Sequence, residues 1–327
     1  MKTMNAIISS LLLAFALLAA PAHAAKLPDY FLLSFLDLDE DMAEAQSQGK
    51  HLLLYFHQEG CPYCLAMENT AFPDPRVDAL LRKHFLGIDL NIWGDRLVTL
   101  ADGEEISEKA LARKLNVQFT PTILLLQSAD LLNPSNLLTR INGYRKPDSF
   151  IKTVQTALNQ GQATQAPDIS LAVSDYPFAE YAVLAKPATD KPLALFFEQG
   201  DCADCRHMHK LLQKQQISKL LDQYRAVRLH AADTTPITFA GKSTNPARLA
   251  EQFNISYHPS VLLFDFDENG HLTERLRMDS FLKAFHFATA LDFVAAKVYA
   301  RDNNFQNHIN ARATALREQG IELDIWE

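Results

Sequence analysis

All four cysteines of this 327-residue chain fall into two C-x-x-C pairs, and the pairs occupy matching places in an internal repeat. Cys61-Pro62-Tyr63-Cys64 follows the apolar run Leu52 to Phe56, and Cys202-Ala203-Asp204-Cys205 follows Leu193 to Phe197. At an offset of 141 residues, Lys50, Leu52, Leu54, Phe56 and Gln58 meet Lys191, Leu193, Leu195, Phe197 and Gln199. A second block aligns at an offset of 138, where Leu111-Ala112, Asn116, Pro121 and Leu124-Leu125 meet Leu249-Ala250, Asn254, Pro259 and Leu262-Leu263. A duplicated unit with a dithiol at a strand-to-helix junction, and a proline ahead of a later strand, points to redox chemistry.

The first residues bear on how the cysteines are read. Lys2, the apolar run Ala6 to Ala20 and the small-residue site Ala22-His23-Ala24 form the pattern of a secretory signal peptide over 1–24, too short for a membrane span. The expectation is an exported, periplasmic chain with no membrane insertion after cleavage. Cysteines in an oxidising compartment usually staple small domains. A mature chain of this length builds cores without staples, and none of its cysteines lies outside a C-x-x-C. The formal net charge of −8 leaves no basic footprint for nucleic acid. Proteins are the expected partners.

The polar stretch 161–170 reads as a linker. The expected division is a thioldomain over 25–163, a second over 164–300, and a helical extension over 301–327. In the first half the pattern predicts a lead-in helix over Leu36 to Gln48, a buried strand over Leu52 to Phe56, and a helix starting at Cys61. A strand over Phe85 to Ile92, a helix over Glu105 to Leu115, strands over Thr122 to Gln127 and Leu137 to Ile141, and a helix over Asp148 to Leu158 follow. The second half predicts strands near 193–198, 225–230, 260–265 and 272–277 and a closing helix near 279–299. Strands alternating with helices, then two strands in succession, give α/β domains with a mixed central sheet flanked by helices.

Both halves resemble thioredoxin-fold domains, and the first is similar to periplasmic thioredoxin-related proteins of the SoxW type. The residues carrying this are Phe31 to Leu36, His57-Gln58-Glu59-Gly60-Cys61-Pro62-Tyr63-Cys64, Asn91 to Asp95, Thr120-Pro121-Thr122 and Gly143-Tyr144. In the second half His258-Pro259 and Asp279 to Phe287 hold the matching places. The resemblance implies that Pro121 and Pro259 are cis and sit against the dithiols, with Thr120 and His258 pairing with an extended substrate. It also implies a reductase of protein disulfides, without a dissociable cofactor, kept reduced by a membrane electron carrier of the CcdA or DsbD kind. A disulfide oxidase or isomerase is the alternative within that chemistry.

A dithiol exchange site needs a nucleophilic thiolate and a second thiol close enough to resolve the mixed disulfide. A helix N-terminus at Cys61 meets the first need, and Pro62 suits the first helical position. Cys64, nearly one turn on, is placed to resolve. Cys202 and Cys205 are the counterparts. The buried aspartate that thioredoxin carries six residues before its first cysteine is replaced by Tyr55 and Phe196, so Glu68, four residues after Cys64, is the candidate proton acceptor. The second half has His209 there. Asp204 disfavours the Cys202 thiolate, which suggests a more reducing second dithiol passing electrons to the first, although Arg206, His207 and His209 pull the other way.

A four-thiolate zinc site would need pairs far closer than the 137 residues between Cys64 and Cys202. His207-Met208-His209 suits Cu(I), but on a helix the two histidines diverge, leaving metal handling or substrate binding by the second half as the alternative. Trp93, Phe85 and the cluster Phe281, Phe285, Phe287 read as core.

Overall fold

A computed structural model describes residues 27–131, 133–159, 171, 174–179, 183–184, 191–200 and 202–321. The signal-peptide reading and the whole of the proposed linker, 161–170, fall outside these residues.

The first half runs α1 (Leu38–Ser47), β1 (His51–His57), α2 (Pro62–Ala66), a π-helical turn (Met67–Ala71), α3 (Pro75–His84) and β2 (Phe85–Asn91). A hairpin of β3 (Leu97–Thr99) and β4 (Glu105–Ser107) leads to α4 (Glu108–Lys114), β5 (Thr122–Leu126), β6 (Leu137–Asn142) and α5 (Pro147–Leu158). The sheet order is β2-β1-β5-β6, with β1 parallel to β2 and antiparallel to β5. The central strand reads Leu-Leu-Leu-Tyr-Phe because helices cover both faces of the sheet.

The second half repeats this plan. A short β7 (Val183–Leu184) precedes β8 (Leu193–Glu198), α6 (Ala203–Leu212), α7 (Gln215–Leu221) and β9 (Arg225–His230). Then come β10 (Ile237–Phe239), β11 (Lys242–Thr244), α8 (Pro246–Gln252), β12 (Ser260–Phe266), β13 (Leu272–Met278), α9 (Ala284–Ala295) and α10 (Phe305–Glu318). Its main sheet has the order β13-β12-β8-β9, the same plan. The repeated Asn116 and Asn254 have a shared cause: both stand just past a helix in the left-handed region, with φ 50° and 51°.

Two expectations change. Glu105 to Ser107 is strand, not helix, because the turn at Asp102-Gly103 (φ 80°) folds it back on β3 and Ser107 caps α4 through Ala110 N–H. Residues 279–283 are a loop, and the closing helix starts at Ala284. That loop docks on the loop after β6: Phe281 N–H donates to Tyr144 O (3.1 Å) and Asn142 Nδ2 to Asp279 Oδ2 (3.2 Å). Gly143 is needed twice over, for its φ of 70° and because a Cβ there would lie 2.4 Å from Ser280 Oγ. Arg145, fully buried, reaches across to Ser256 and the carbonyl of Asp279 and lies over the Tyr257 ring. α10 is tied to α9 by His308 and Arg312, both on Asp292.

Candidate active site

β1 ends at His57, and the turn at Gly60 (φ 69°) swings the chain so that Cys61 caps α2. Its Sγ accepts from Cys64 N–H (3.0 Å) and Thr120 Oγ1 (3.3 Å), and lies 3.5 Å from Thr120 O. Cys61 and Cys64 are disulfide-bonded, as are Cys202 and Cys205. The Thr120-Pro121 and His258-Pro259 bonds are cis, and Cys202 Sγ stands 3.2 Å from His258 O. Cys205 N–H donates to Cys202 Sγ (3.1 Å). The N–H of each second cysteine, and at Cys61 also the Thr120 hydroxyl, would stabilise a thiolate once the disulfide opens, and each second sulfur lies within bonding distance to resolve. Exposure is small, 6% for Cys61 and 8% for Cys202.

Along the strand and helix that carry each dithiol, acidic and basic residue types exchange places between the halves. In the first, Tyr55 Oη donates to Glu68 Oε1 (2.9 Å), and His57 Nε2 lies 3.5 Å from Asp89. Burial raises the Glu68 carboxyl above its ordinary value, while His57 and then Arg96 hold Asp89 below its own. In the second, Glu198 takes the place of His57, His209 that of Glu68, and Arg228, in register with Phe196, that of Asp89. Glu198 is wholly buried and contacts His209 Nε2 at 2.9 Å and Arg228 at 3.9 Å. The π-helical turn begins between Cys64 and Glu68, where Phe72 N–H bonds Met67 O, and the Glu68 carboxylate engages Tyr55.

The residues between the cysteines face the other half, which the sequence did not signal. Tyr63 Oη accepts from Lys283 N–H (3.0 Å) and lies 3.3 Å from His286 Nδ1. Burial pushes His286 down to about 4, so it meets the phenol as a neutral ring. Reciprocally, Asp204 accepts from Lys146 Nζ (2.7 Å) and Tyr257 Oη (2.9 Å). The charge that was to make the second dithiol more reducing is thus offset from the first half. The clefts over Cys61 and Cys202 share no lining residue. His207 bonds Leu282 O and stacks on Phe281, and His209 turns to Glu198. Among the described residues no three His, Cys, Asp or Glu side chains gather as a metal site.

Trp93 differs from its core reading: it is 42% exposed, bonds Gln58, and lines the Cys61 cleft. Phe285 lines it too, whereas Phe85 and Phe287 are core.

A family model for the thioredoxin-like domain matches residues 38–158 and again 180–295. The chain belongs to the thioredoxin-like domain family. Among solved structures it is similar to a thioredoxin-fold protein from Helicobacter pylori, at 15% identity and TM-score 0.38 over 42% of this chain and 92% of that one. It is similar to a thioredoxin from Thermus thermophilus, at 28% identity and TM-score 0.29 over 37% and 84%. It is also similar to the oxidised C-terminal domain of DsbD from Neisseria meningitidis, at 19% identity and TM-score 0.25 over 36% and 88%. No curated protein matches its sequence. Both thioredoxin-like regions carry a disulfide-bonded C-x-x-C, and no described helix is long and apolar enough to cross a membrane.

Proposed function

We propose that this thioredoxin-like chain is an exported thiol:disulfide oxidoreductase that reduces protein disulfides, chiefly at Cys61–Cys64. The observation that carries the reading is the placement of Cys61 Sγ against Cys64 N–H, the Thr120 hydroxyl and the Thr120 carbonyl. In the reduced protein the Cys61 thiolate attacks a substrate disulfide, forming a mixed disulfide and releasing one substrate thiolate, which takes a proton. The Cys64 thiolate then attacks Cys61 Sγ, re-forming the Cys61–Cys64 bond and releasing the second thiolate. Two electrons pass from dithiol to substrate. Thr120-Pro121 flanks the incoming chain, with His258-Pro259 the counterpart at Cys202–Cys205. In this reading residues 1–24 direct export, 25–163 and 164–300 are the two redox units, 301–327 is an extension, and a SoxW-type relationship brings electrons from a CcdA- or DsbD-like membrane carrier. Expressing the Cys64→Ser, Cys205→Ser form in the host traps substrates as mixed disulfides. A form that captures no protein thiol overturns the reading.

Two tuning effects follow. Glu68 is the acceptor of the Cys64 proton in this reading, its raised carboxyl pKa bringing it nearer neutrality. Folding favours the protonated carboxyl: that stability is complete below its unfolded value and lost as pH rises through the folded one. Glu68→Gln is therefore expected to keep or gain stability at alkaline pH while slowing mixed-disulfide release by about threefold to tenfold there. An unchanged pH–rate profile returns Glu68 to a structural part. For the second dithiol, Lys146→Met leaves Asp204 less compensated and disfavours the Cys202 thiolate. Its potential is expected to fall by about 10–20 mV in glutathione buffers, a modest shift because Lys146 is half exposed. Lys146→Arg should restore it, and an equal shift in both variants would refute the charge argument.

A further inference from the structure

Cys61 is reached through a cleft of about 460 Å³ whose near side belongs to the first half and whose far side belongs to the second. The near side is Cys61, Thr120 and Phe119; the far side is Phe285 with Ile309 and Ala313 of α10. This far wall is built in. Phe119 packs on Phe305 with ring centroids 5.0 Å apart, Phe305 on Phe293 at 5.2 Å, and Tyr63 is bonded to Lys283 at the cleft base. α10 lies beyond the repeated unit, so the first dithiol has a wall that the duplication did not supply. Cys61 itself is only 6% exposed.

We propose that α10 makes the first dithiol selective for a disulfide carried on a short, extended peptide segment, and closes it to a disulfide on the surface of a folded domain. This rests on the redox reading above and names its substrate class. The volume falls within the range of small-ligand pockets, about 300–1,000 Å³, enough for a few residues of extended chain and too narrow for a folded face. Phe119, Phe285, Ile309 and Ala313 offer apolar contact to side chains flanking the reacting cysteine, while Glu59, Asn310, Thr314 and Arg317 make the rest of the lining polar, as suits a peptide backbone. The chemistry is unchanged: a Cys61–substrate bond forms, the substrate disulfide breaks, and Cys64 resolves.

The test uses the full chain, pre-reduced, with Cys202→Ser and Cys205→Ser so that all signal reports Cys61. Three probes release the same chromophore: thionitrobenzoate mixed disulfides of methanethiol, of an uncharged pentapeptide with central cysteine, and of a small folded domain with one surface cysteine. The peptide is expected to react about tenfold faster than the folded domain. Asn310→Trp, at an exposed position of α10 lining the cleft, is expected to slow the peptide about fivefold and leave the methyl probe within about twofold. Thr314→Trp, also exposed, should do the same. Equal rates for peptide and folded domain, peptide rates untouched by both tryptophans, or equal slowing of peptide and methyl probes overturn the proposal and leave the redox reading standing. Release from none of the probes overturns both.

Discussion

Replacing Cys61 with serine is expected to slow reduction of a disulfide-linked peptide dimer by about a thousandfold, while Cys202→Ser leaves the larger part of the rate in place. A serine hydroxyl stays protonated where the thiol ionises, so the attacking step is lost. The asymmetry follows from what stands before each cis-proline. Thr120 donates a hydroxyl hydrogen bond to Cys61 Sγ. His258 holds the matching place but burial pushes its pKa down to about 3, so it brings no positive charge to the Cys202 thiolate near neutral pH. Full activity in Cys61→Ser, with loss in Cys202→Ser, would reverse the assignment of the two dithiols.

The second large effect is on the contact between the halves. Arg145 donates to Thr153 Oγ1 (2.6 Å), Ser256 Oγ (3.4 Å) and Asp279 O (3.2 Å), all in a buried setting. Alanine there strands those acceptors and removes the cation from the Tyr257 ring, a loss of about 3–5 kcal/mol. If the contact opens on its own, amide exchange in 142–146 and 279–283 is expected to quicken about a hundredfold or more in Arg145→Ala. Exchange confined to the parent rate in both loops would show that the halves are held elsewhere.

Local patterns made much of this legible. Leu52 to Phe56 and Leu193 to Phe197 could only be buried strands, and cysteines straight after such strands fall at helix starts. Asn116 and Asn254 were legible only as matching places in the repeat; that both stand just past a helix in the left-handed region comes from the structure. Contacts made across the halves leave no such trace. Nothing periodic in Pro62-Tyr63 says that the phenol meets Lys283 and His286, and the helix Phe305–Glu318 lies outside the repeat that organised the reading. Glu68 shows another limit. Spacing on a regular helix pairs it with Cys64, but the π-helical turn opens between them and the carboxylate bonds Tyr55. Trp93 reads as core from its residue type, and its position on a turn rather than a strand is the signal to the contrary.

The separate clefts over Cys61 and Cys202 have a consequence for how the molecule holds charge. Thiol–disulfide exchange needs sulfur to touch sulfur, and each couple here opens into a cleft of its own, lined from both halves. The two couples therefore meet outside partners through separate doors, and each is open to a poise set by its own partner.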